Sequence, residues 1–228
     1  MKKKICIIGA GLSGAYLVQE ISKLQKFEVF ILDIDSLKNP KNNSLDLFYE
    51  NNNKKQKYID KIQRGYGFGG TSKLWHGGLT AFDDYDLEKI DNQIGNNFSF
   101  YLKKNYEKIF REYLLTQNKD HELKKDNFYN LFLNDNFKKK EIFIQNQPLN
   151  TKNIILSLKE NKDVSVIENA ICQEIISNKK NKIESVKICQ NNKVKLIYAD
   201  IFILSAGVFE SPRLLLQSMK HNNLLIKN

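Results

Sequence analysis

Residues 5–14 read Ile-Cys-Ile-Ile-Gly-Ala-Gly-Leu-Ser-Gly, a short apolar strand running directly into G-x-G-x-x-G. This order leaves the chain little choice of fold. Gly9 allows a tight turn after the strand, Gly11 lets the backbone come close to a pyrophosphate, and Gly14 lets the next helix lie close to the strand. Ala15, Leu17, Val18 and Ile21 give that helix an apolar face. Its first N–H groups and positive dipole end point toward whatever anion the turn holds. A second apolar run, Val29-Phe30-Ile31-Leu32, ends at Asp33, 19 positions after Gly14. An acid there can accept a hydrogen bond from a ribose 2′-OH, and no Arg or Lys flanks it to favour a 2′-phosphate. Asp35 is the alternative acid if the strand runs two residues further.

The remaining pattern is that of an α/β chain. We expect strands at about 4–8 and 28–33 around a helix at about 12–25. Residues 34–63 are polar and asparagine-rich, and Pro40 interrupts any regular element. Phe98, Tyr101, Leu102, Tyr106, Ile109, Phe110, Tyr113 and Leu114 recur at helical spacing over 98–117, which reads as core packing. Further helix is expected over 120–145, with a short strand at Ile142–Ile144. Ile154–Leu158 suits a helix and Val164–Ile167 a strand. Residues 171–177, 182–189 and 193–198 read as a β-meander. Ile201-Phe202-Ile203-Leu204 is apolar throughout, as a strand buried on both faces of a parallel sheet requires. Ser211-Pro212 reads as a helix start, with Ser as N-cap and Pro at the first position.

Composition narrows the partners. Hydrophobic residues at 41% and charged residues at 27% are those of a globular protein. The net charge of +10 does not point to nucleic acid. The lysines travel with asparagine and isoleucine, residues that share AT-rich codons, and no aromatic-interleaved basic stripe or nucleic-acid module occurs. Cys6, Cys172 and Cys189 are isolated, so buried thiols and a reducing, cytoplasmic setting are expected. Cys6 and Cys189 fall in strands and Cys172 beside one. Lys2–Lys4 before an apolar stretch imitates a secretory signal, but the glycine fingerprint accounts for the same residues. No apolar run is long enough for a membrane span.

Two further segments carry chemistry. Residues 64–78, Arg-Gly-Tyr-Gly-Phe-Gly-Gly-Thr-Ser-Lys-Leu-Trp-His-Gly-Gly, hold six glycines. They clear side chains from where something flat or phosphorylated must approach. Leu74 and Trp75 would be costly in a solvated linker. Near the end stands Ile203-Leu204-Ser205-Ala206-Gly207-Val208-Phe209-Glu210-Ser211-Pro212-Arg213-Leu214-Leu215-Leu216-Gln217-Ser218.

Taken together, Gly9–Gly14, Asp33, Gly69-Gly70-Thr71-Ser72 and the segment 203–218 resemble the glucose–methanol–choline family of flavoprotein oxidoreductases over about residues 4–220. The segment 203–218 is the most specific part and is similar to the family's second signature. The resemblance implies a glutathione-reductase-like FAD-binding fold, a parallel sheet with a β-meander, and oxidation of an alcohol by hydride transfer to flavin. Gly9, Gly11, Leu12, Ser13 and Gly14 would hold the FAD pyrophosphate and Asp33 the adenosine ribose. Gly69, Gly70, Thr71 and Ser72 would lie along the pyrophosphate and flavin. Ala170 would meet the adenine side by backbone, and Ala206 and Gly207 would close the site.

Some relatives in this family attach flavin covalently through a His two residues after this Ser. Leu74 stands there, so the FAD is expected to be non-covalent. Trp75, also counted with the cofactor site, matches the pyranose-oxidase-like branch and hints at a sugar-like substrate. His76 reads as a polar loop residue near the cofactor.

The family's catalytic His lies in a C-terminal segment beyond the second signature, and His121 and His221 lack its context. No catalytic residue is therefore assigned. The expectation is the N-terminal half of a longer enzyme. Residues 1–83 and 148–220 would form the FAD-binding domain, 84–147 a partial helical cap and 221–228 a tail, with the substrate lobe absent. The alternatives are a fragment that binds FAD or another dinucleotide without turnover, and one half of a split enzyme awaiting a complementary C-terminal polypeptide. An NAD-dependent dehydrogenase is a weaker reading, because a simple NAD domain needs neither the second glycine cluster nor the segment 205–218. The expected small-molecule partner is an alcohol or a sugar, with no nucleic acid and no membrane.

Overall fold

A computed structural model describes residues 1–35, 65–74, 82–95, 98–115, 151–178, 180 and 182–222. The chain divides into two compact units, Met1–Trp75 with Pro148–Asn228, and His76–Gln147.

The first unit is built on a parallel four-stranded sheet. Its strands are β1 (Lys3–Ile8), β2 (Phe27–Leu32), β3 (Val164–Ile167) and β7 (Ile201–Leu204), in the order β3-β2-β1-β7. Ile8 sits opposite both Leu32 and Leu204, and Leu32 opposite Ile167. All four strands therefore end at one edge, the edge where open α/β sheets bind ligands. Burial on both faces explains the apolar runs of β1 and β2, whereas β7, expected to be buried on both faces, lies at the sheet edge half-buried with Ile201 exposed. Ile5, Ile7, Val29 and Ile31 pack with helices α1 (Leu12–Lys23) and α4 (Thr151–Leu158). Cys6, Ile8 and Leu32 face the other way, against an antiparallel sheet of β4 (Ala170–Ser177), β5 (Ile183–Gln190) and β6 (Lys193–Tyr198), and against Leu214 of helix α5 (Gly207–Asn222). The parallel sheet and meander expected from the sequence are both present.

Two boundaries differ from the sequence reading. Helix α1 stops at Lys23, because Gln25 takes a left-handed φ of 55°. Helix α5 begins at Gly207, not at Ser211-Pro212, and Pro212 lies inside it. Gly207, at φ 86°, reverses the chain directly after β7, so no Ser cap is needed. Pro212 then removes one i→i−4 hydrogen bond near the helix start. A further tie holds α5 in place. The pairing of β4 with β5 shifts register between Cys172 and Glu174. The Ile175 N–H is then received by Ser218 Oγ at 2.8 Å, while that hydroxyl donates to the Leu214 carbonyl at 2.6 Å. Cys172 lies within β4 rather than beside a strand.

The second unit contains α2 (Asp84–Ile94) and α3 (Phe98–Leu115). Asp83 and Asp86 form a reciprocal capping box at the start of α2. Asp91 accepts from the Ser99 amide at 2.8 Å and hydroxyl at 2.5 Å, joining the two helices. The helix expected over 120–145, the strand at Ile142–Ile144, Pro40, Trp75 and His76 lie outside the described residues.

Candidate functional site

A cavity of about 750 Å³ opens at the carboxyl ends of β1, β2 and β7. It is large enough for an extended cofactor, since ligand pockets run from roughly 300 to 1,000 Å³. Three separate stretches line it: Ile8–Ser13, Gly65–Ser72 without Phe68, and Ile203–Leu214 without Pro212. Leu17, Leu32–Ile34 and Ala170–Cys172 complete the wall.

The first stretch is shaped by what surrounds it. Gly9 has φ 103°, and a Cβ there would stand 2.7 Å from the Ser205 carbonyl oxygen. A Cβ on Gly14 would overlap the Gly9 carbonyl oxygen and lie 2.8 Å from Ser205 Oγ. Gly14 therefore packs behind the turn and does not line the cavity. Gly11 is different, for a Cβ there would meet nothing within 4 Å. That open face borders the cavity, so only a ligand would be displaced by it. Helix α1 starts here with no side-chain cap and no acid in its first turn. Leu12 and Ser13, its first two residues, line the cavity. An uncapped helix start of this kind suits an anionic group.

The second stretch is bound to the first by backbone. The Gly69 N–H donates to the Ala10 carbonyl at 2.9 Å, and Gly69 bridges to Gly11 in parallel fashion. A 3₁₀ turn, Gly70–Leu74, follows. Ser72 Oγ donates to the Gly69 carbonyl at 2.6 Å, and Lys73 Nζ to the Tyr66 carbonyl at 2.6 Å. Gly70 and Thr71 consequently face the cavity beside Gly11. Behind Gly69 lies Thr151, 1% exposed, whose Oγ1 has no hydrogen-bond partner among the described residues.

Asp33 follows the last residue of β2, and its side chain is 7% exposed. Oδ2 accepts from the Ala10 N–H at 3.0 Å and Oδ1 from the Asp35 N–H at 3.0 Å. Burial pushes the carboxyl up to about 6, and the neighbouring Asp35 charge adds to this; the two N–H donors and Lys73 pull the other way. Since β2 ends at Leu32, Asp33 and not Asp35 is the acid at the strand end that lines the cavity. Asp35 is buried and packs where a Gly67 Cβ would go.

Of the residues singled out from the sequence, Gly9, Gly11, Leu12, Ser13, Asp33, Gly69, Gly70, Thr71, Ser72, Ala170, Ala206 and Gly207 border this one cavity. Trp75 lies outside the described residues. Sequence reasoning missed Tyr66, Cys172, Ser205, Glu210 and Arg213, which line it too. Arg213 Nε donates to Glu210 at 2.6 Å and Nη1 to Gln217 at 2.8 Å. Burial pushes the Cys172 thiol up to about 12, so it stays protonated near neutrality. Cys6 is likewise pushed up to about 12, first by burial. The described lining therefore offers glycine turns, an uncapped helix start and a ribose-type acid, the parts of a dinucleotide cradle. It holds no histidine, and its acids are Asp33 and Glu210.

No family model and no curated protein matches the sequence. Solved structures do match the fold. Formate oxidase aligns with a TM-score of 0.64 at 16% identity, over 95% of this chain and 48% of its own. Pyridoxine 4-oxidase from Mesorbium loti aligns at 0.61 and 15%, over 95% of this chain and 52% of its own. A variant of Aspergillus oryzae RIB40 formate oxidase, studied for FAD modification, aligns at 0.63 and 16%, over 95% and 48%. Formate oxidase and pyridoxine 4-oxidase belong to the glucose–methanol–choline family, in keeping with the mixed α/β fold of parallel sheet and meander expected from the three motifs. The chain spans about half the length of these structures. No helix among the described residues is long and apolar enough to cross a membrane.

Proposed function

We propose that the chain binds FAD non-covalently in this cavity and is the FAD-binding portion of an oxidoreductase that acts on a small alcohol or sugar. The observation that carries the reading is the meeting of three distant stretches, Gly9–Ser13, Gly65–Ser72 and Ser205–Ser211, around one cavity with Asp33 at its edge. An isolated Gly9–Gly14 fingerprint would suit any dinucleotide; the Gly69–Ser72 turn laid against it favours FAD over NAD.

In this reading the uncapped start of α1 and the Gly11 backbone receive the pyrophosphate, and Asp33 accepts from the ribose hydroxyls. Gly70, Thr71 and Ser72 extend the cradle away from Asp33. Bound FAD would supply the hydride acceptor for a CH–OH donor. Among the described lining residues, Glu210 is held by Arg213 and the Cys172 thiol stays protonated. They give the cofactor a place and leave the proton-accepting role unassigned. The isolated thiols Cys6, Cys172 and Cys189 favour a reducing, cytoplasmic setting, and the small-molecule partner would be the alcohol or sugar.

Purification of the full chain tests this. The expected result is a flavin absorption spectrum that leaves with the supernatant on acid precipitation. Flavin retained in the pellet would refute non-covalent attachment. Absence of flavin, no uptake of added FAD and tight NAD binding would refute the reading. Flavin without alcohol turnover would favour the non-catalytic fragment, and turnover restored only by a complementary C-terminal polypeptide would favour the split enzyme.

A further inference from the structure

Ser205 follows the last residue of β7 and approaches the glycine turn from the side opposite Asp33. Its N–H donates to the Ile8 carbonyl at 2.9 Å, which fixes its backbone. Its hydroxyl lies 2.7 Å from the Gly9 carbonyl oxygen and 3.1 Å from that of Ile8. A hydroxyl has one proton, and the shorter contact takes it. The Gly9 carbonyl belongs to the same peptide group as the Ala10 N–H, which donates to Asp33 Oδ2. No peptide bond described is cis. In a trans peptide the C=O and N–H point in opposite directions. One rigid plane is thus gripped at both ends, by Ser205 on one side and by Asp33 on the other.

We propose that Ser205 is a positioning residue for Asp33, acting through the Gly9–Ala10 peptide, and thereby for the ribose diol of a bound adenine dinucleotide. Donation to the Gly9 carbonyl polarises the peptide and strengthens its N–H as a donor, as in any chain of hydrogen bonds at low dielectric. It also stops the plane from rotating, which would carry the Ala10 N–H away from the carboxylate. Ser205 therefore acts on an acid it does not touch. The other charged groups bearing on Asp33 are Asp35, two residues on, and Lys73 of the 3₁₀ turn. Neither is held by Ser205 in any hydrogen bond described here. The step to the ribose rests on the FAD reading; the step to Asp33 does not.

The test follows the Asp33 carboxyl carbon by NMR titration in the full chain without added nucleotide, for wild type and Ser205→Ala. Removing the hydroxyl should raise the Asp33 midpoint by about half a pH unit and shift the Ala10 amide resonance. FAD affinity, read by flavin fluorescence, should then fall about twofold near pH 6 and scarcely at pH 8. Ser205→Thr, which keeps the donor, should restore the wild-type midpoint. An Asp33 midpoint and Ala10 amide unchanged in Ser205→Ala overturn the proposal. Should Ser205→Ala not fold, Ser205→Gly carries the same measurement, and failure of both to fold assigns Ser205 a purely structural role and overturns it too. A wild-type chain that takes no FAD would defeat the functional reading, while the titration still judges Ser205.

Discussion

The turn at Gly9–Gly14 and the turn at Gly65–Leu74 border the same cavity, yet they are held there by different means. The first is clamped between core elements. Its glycine demand comes from the neighbours of Gly9 and Gly14, both of which would collide with backbone if they carried a Cβ. The second has no strand of its own. It is held by the Gly69–Ala10 hydrogen bond and by bonds within itself from Ser72 and Lys73. A Cβ on Gly69 would meet Lys73 Cγ at 2.9 Å and Thr151 Oγ1 at 3.2 Å, side-chain atoms rather than backbone. Gly65 of the second turn is packed as tightly as Gly14, since a Cβ there would stand 2.2 Å from the Gly70 carbonyl oxygen, so the two turns differ at Gly69, where glycine serves mainly a left-handed backbone. Among the described glycines of the two turns, Gly11 alone combines an ordinary φ with open space on its cavity side.

Substitution to alanine separates these cases. Gly14→Ala should have the largest effect, because neither the Gly9 carbonyl nor the helix can yield without undoing the β1–α1 unit. We expect a loss of about 3 kcal/mol or more, seen as a collapse of the thermal transition or as insoluble protein. A near-native melting curve would show that α1 can slide away from the turn, and the clamp would be less rigid than its contacts state. Gly69→Ala should cost about 1–2 kcal/mol, mostly from holding a left-handed φ of 91° on a residue with a Cβ. Chemical denaturation would read this directly. An effect equal to that of Gly14→Ala would erase the distinction between the two turns.

Gly11→Ala sharpens the comparison from the other side. Its backbone, φ −69° and ψ −168°, is open to any residue. The melting temperature should stay within a few degrees of wild type, whereas FAD affinity should fall about tenfold or more, roughly 1.4 kcal/mol. Titration calorimetry and thermal unfolding of one preparation check both halves. Equal losses of stability and affinity would mean that Gly11 belongs with Gly9 and Gly14.

Much of the parallel sheet was legible in the sequence, because strands buried on both faces have to be apolar throughout and end in turn residues. Ile5–Ile8 and Val29–Leu32 carry that mark; Ile201–Leu204 is apolar throughout but lies half-buried at the sheet edge, and Val164–Ile167 is broken by the exposed Ser165. The start of α5 was misread for a physical reason. A Ser-Pro pair is a good helix start only where the chain needs a cap, and the left-handed Gly207 had already made the reversal. Helix α2 gave its own signal in Asp83 and Asp86, a capping box written with two aspartates where a Glu or Gln is usual at the second place. The site was legible as far as its local motifs reached. Ser205 was not, since the Gly9 carbonyl that gives it meaning lies 196 residues away. Cys172 and Arg213 were hidden likewise: they reach the cavity because the meander and α5 cover one face of the sheet, which no local spacing encodes.

The smallest effect expected is one of pH, and it sets Asp33 apart from both turns. Burial raises this carboxyl to about 6 in the folded chain, above the value near 4 of an unfolded Asp. Between those values the folded state binds the extra proton. By linkage, stability then falls as pH rises through the window, so the contribution of Asp33 is fully present below about 4 and lost above about 6. Ribose hydroxyls donate hydrogen bonds and favour the ionised carboxylate, which reverses the sign for binding. FAD affinity should be steady above about pH 7 and weaken as pH falls through 6, by less than tenfold per pH unit. Asp33→Asn should bind FAD more weakly than wild type at pH 8 and show a flat profile between pH 5 and 8. A profile that keeps its wild-type slope in Asp33→Asn would place the titrating group elsewhere, and the edge of the cavity at β2 would lose its claim to the ribose.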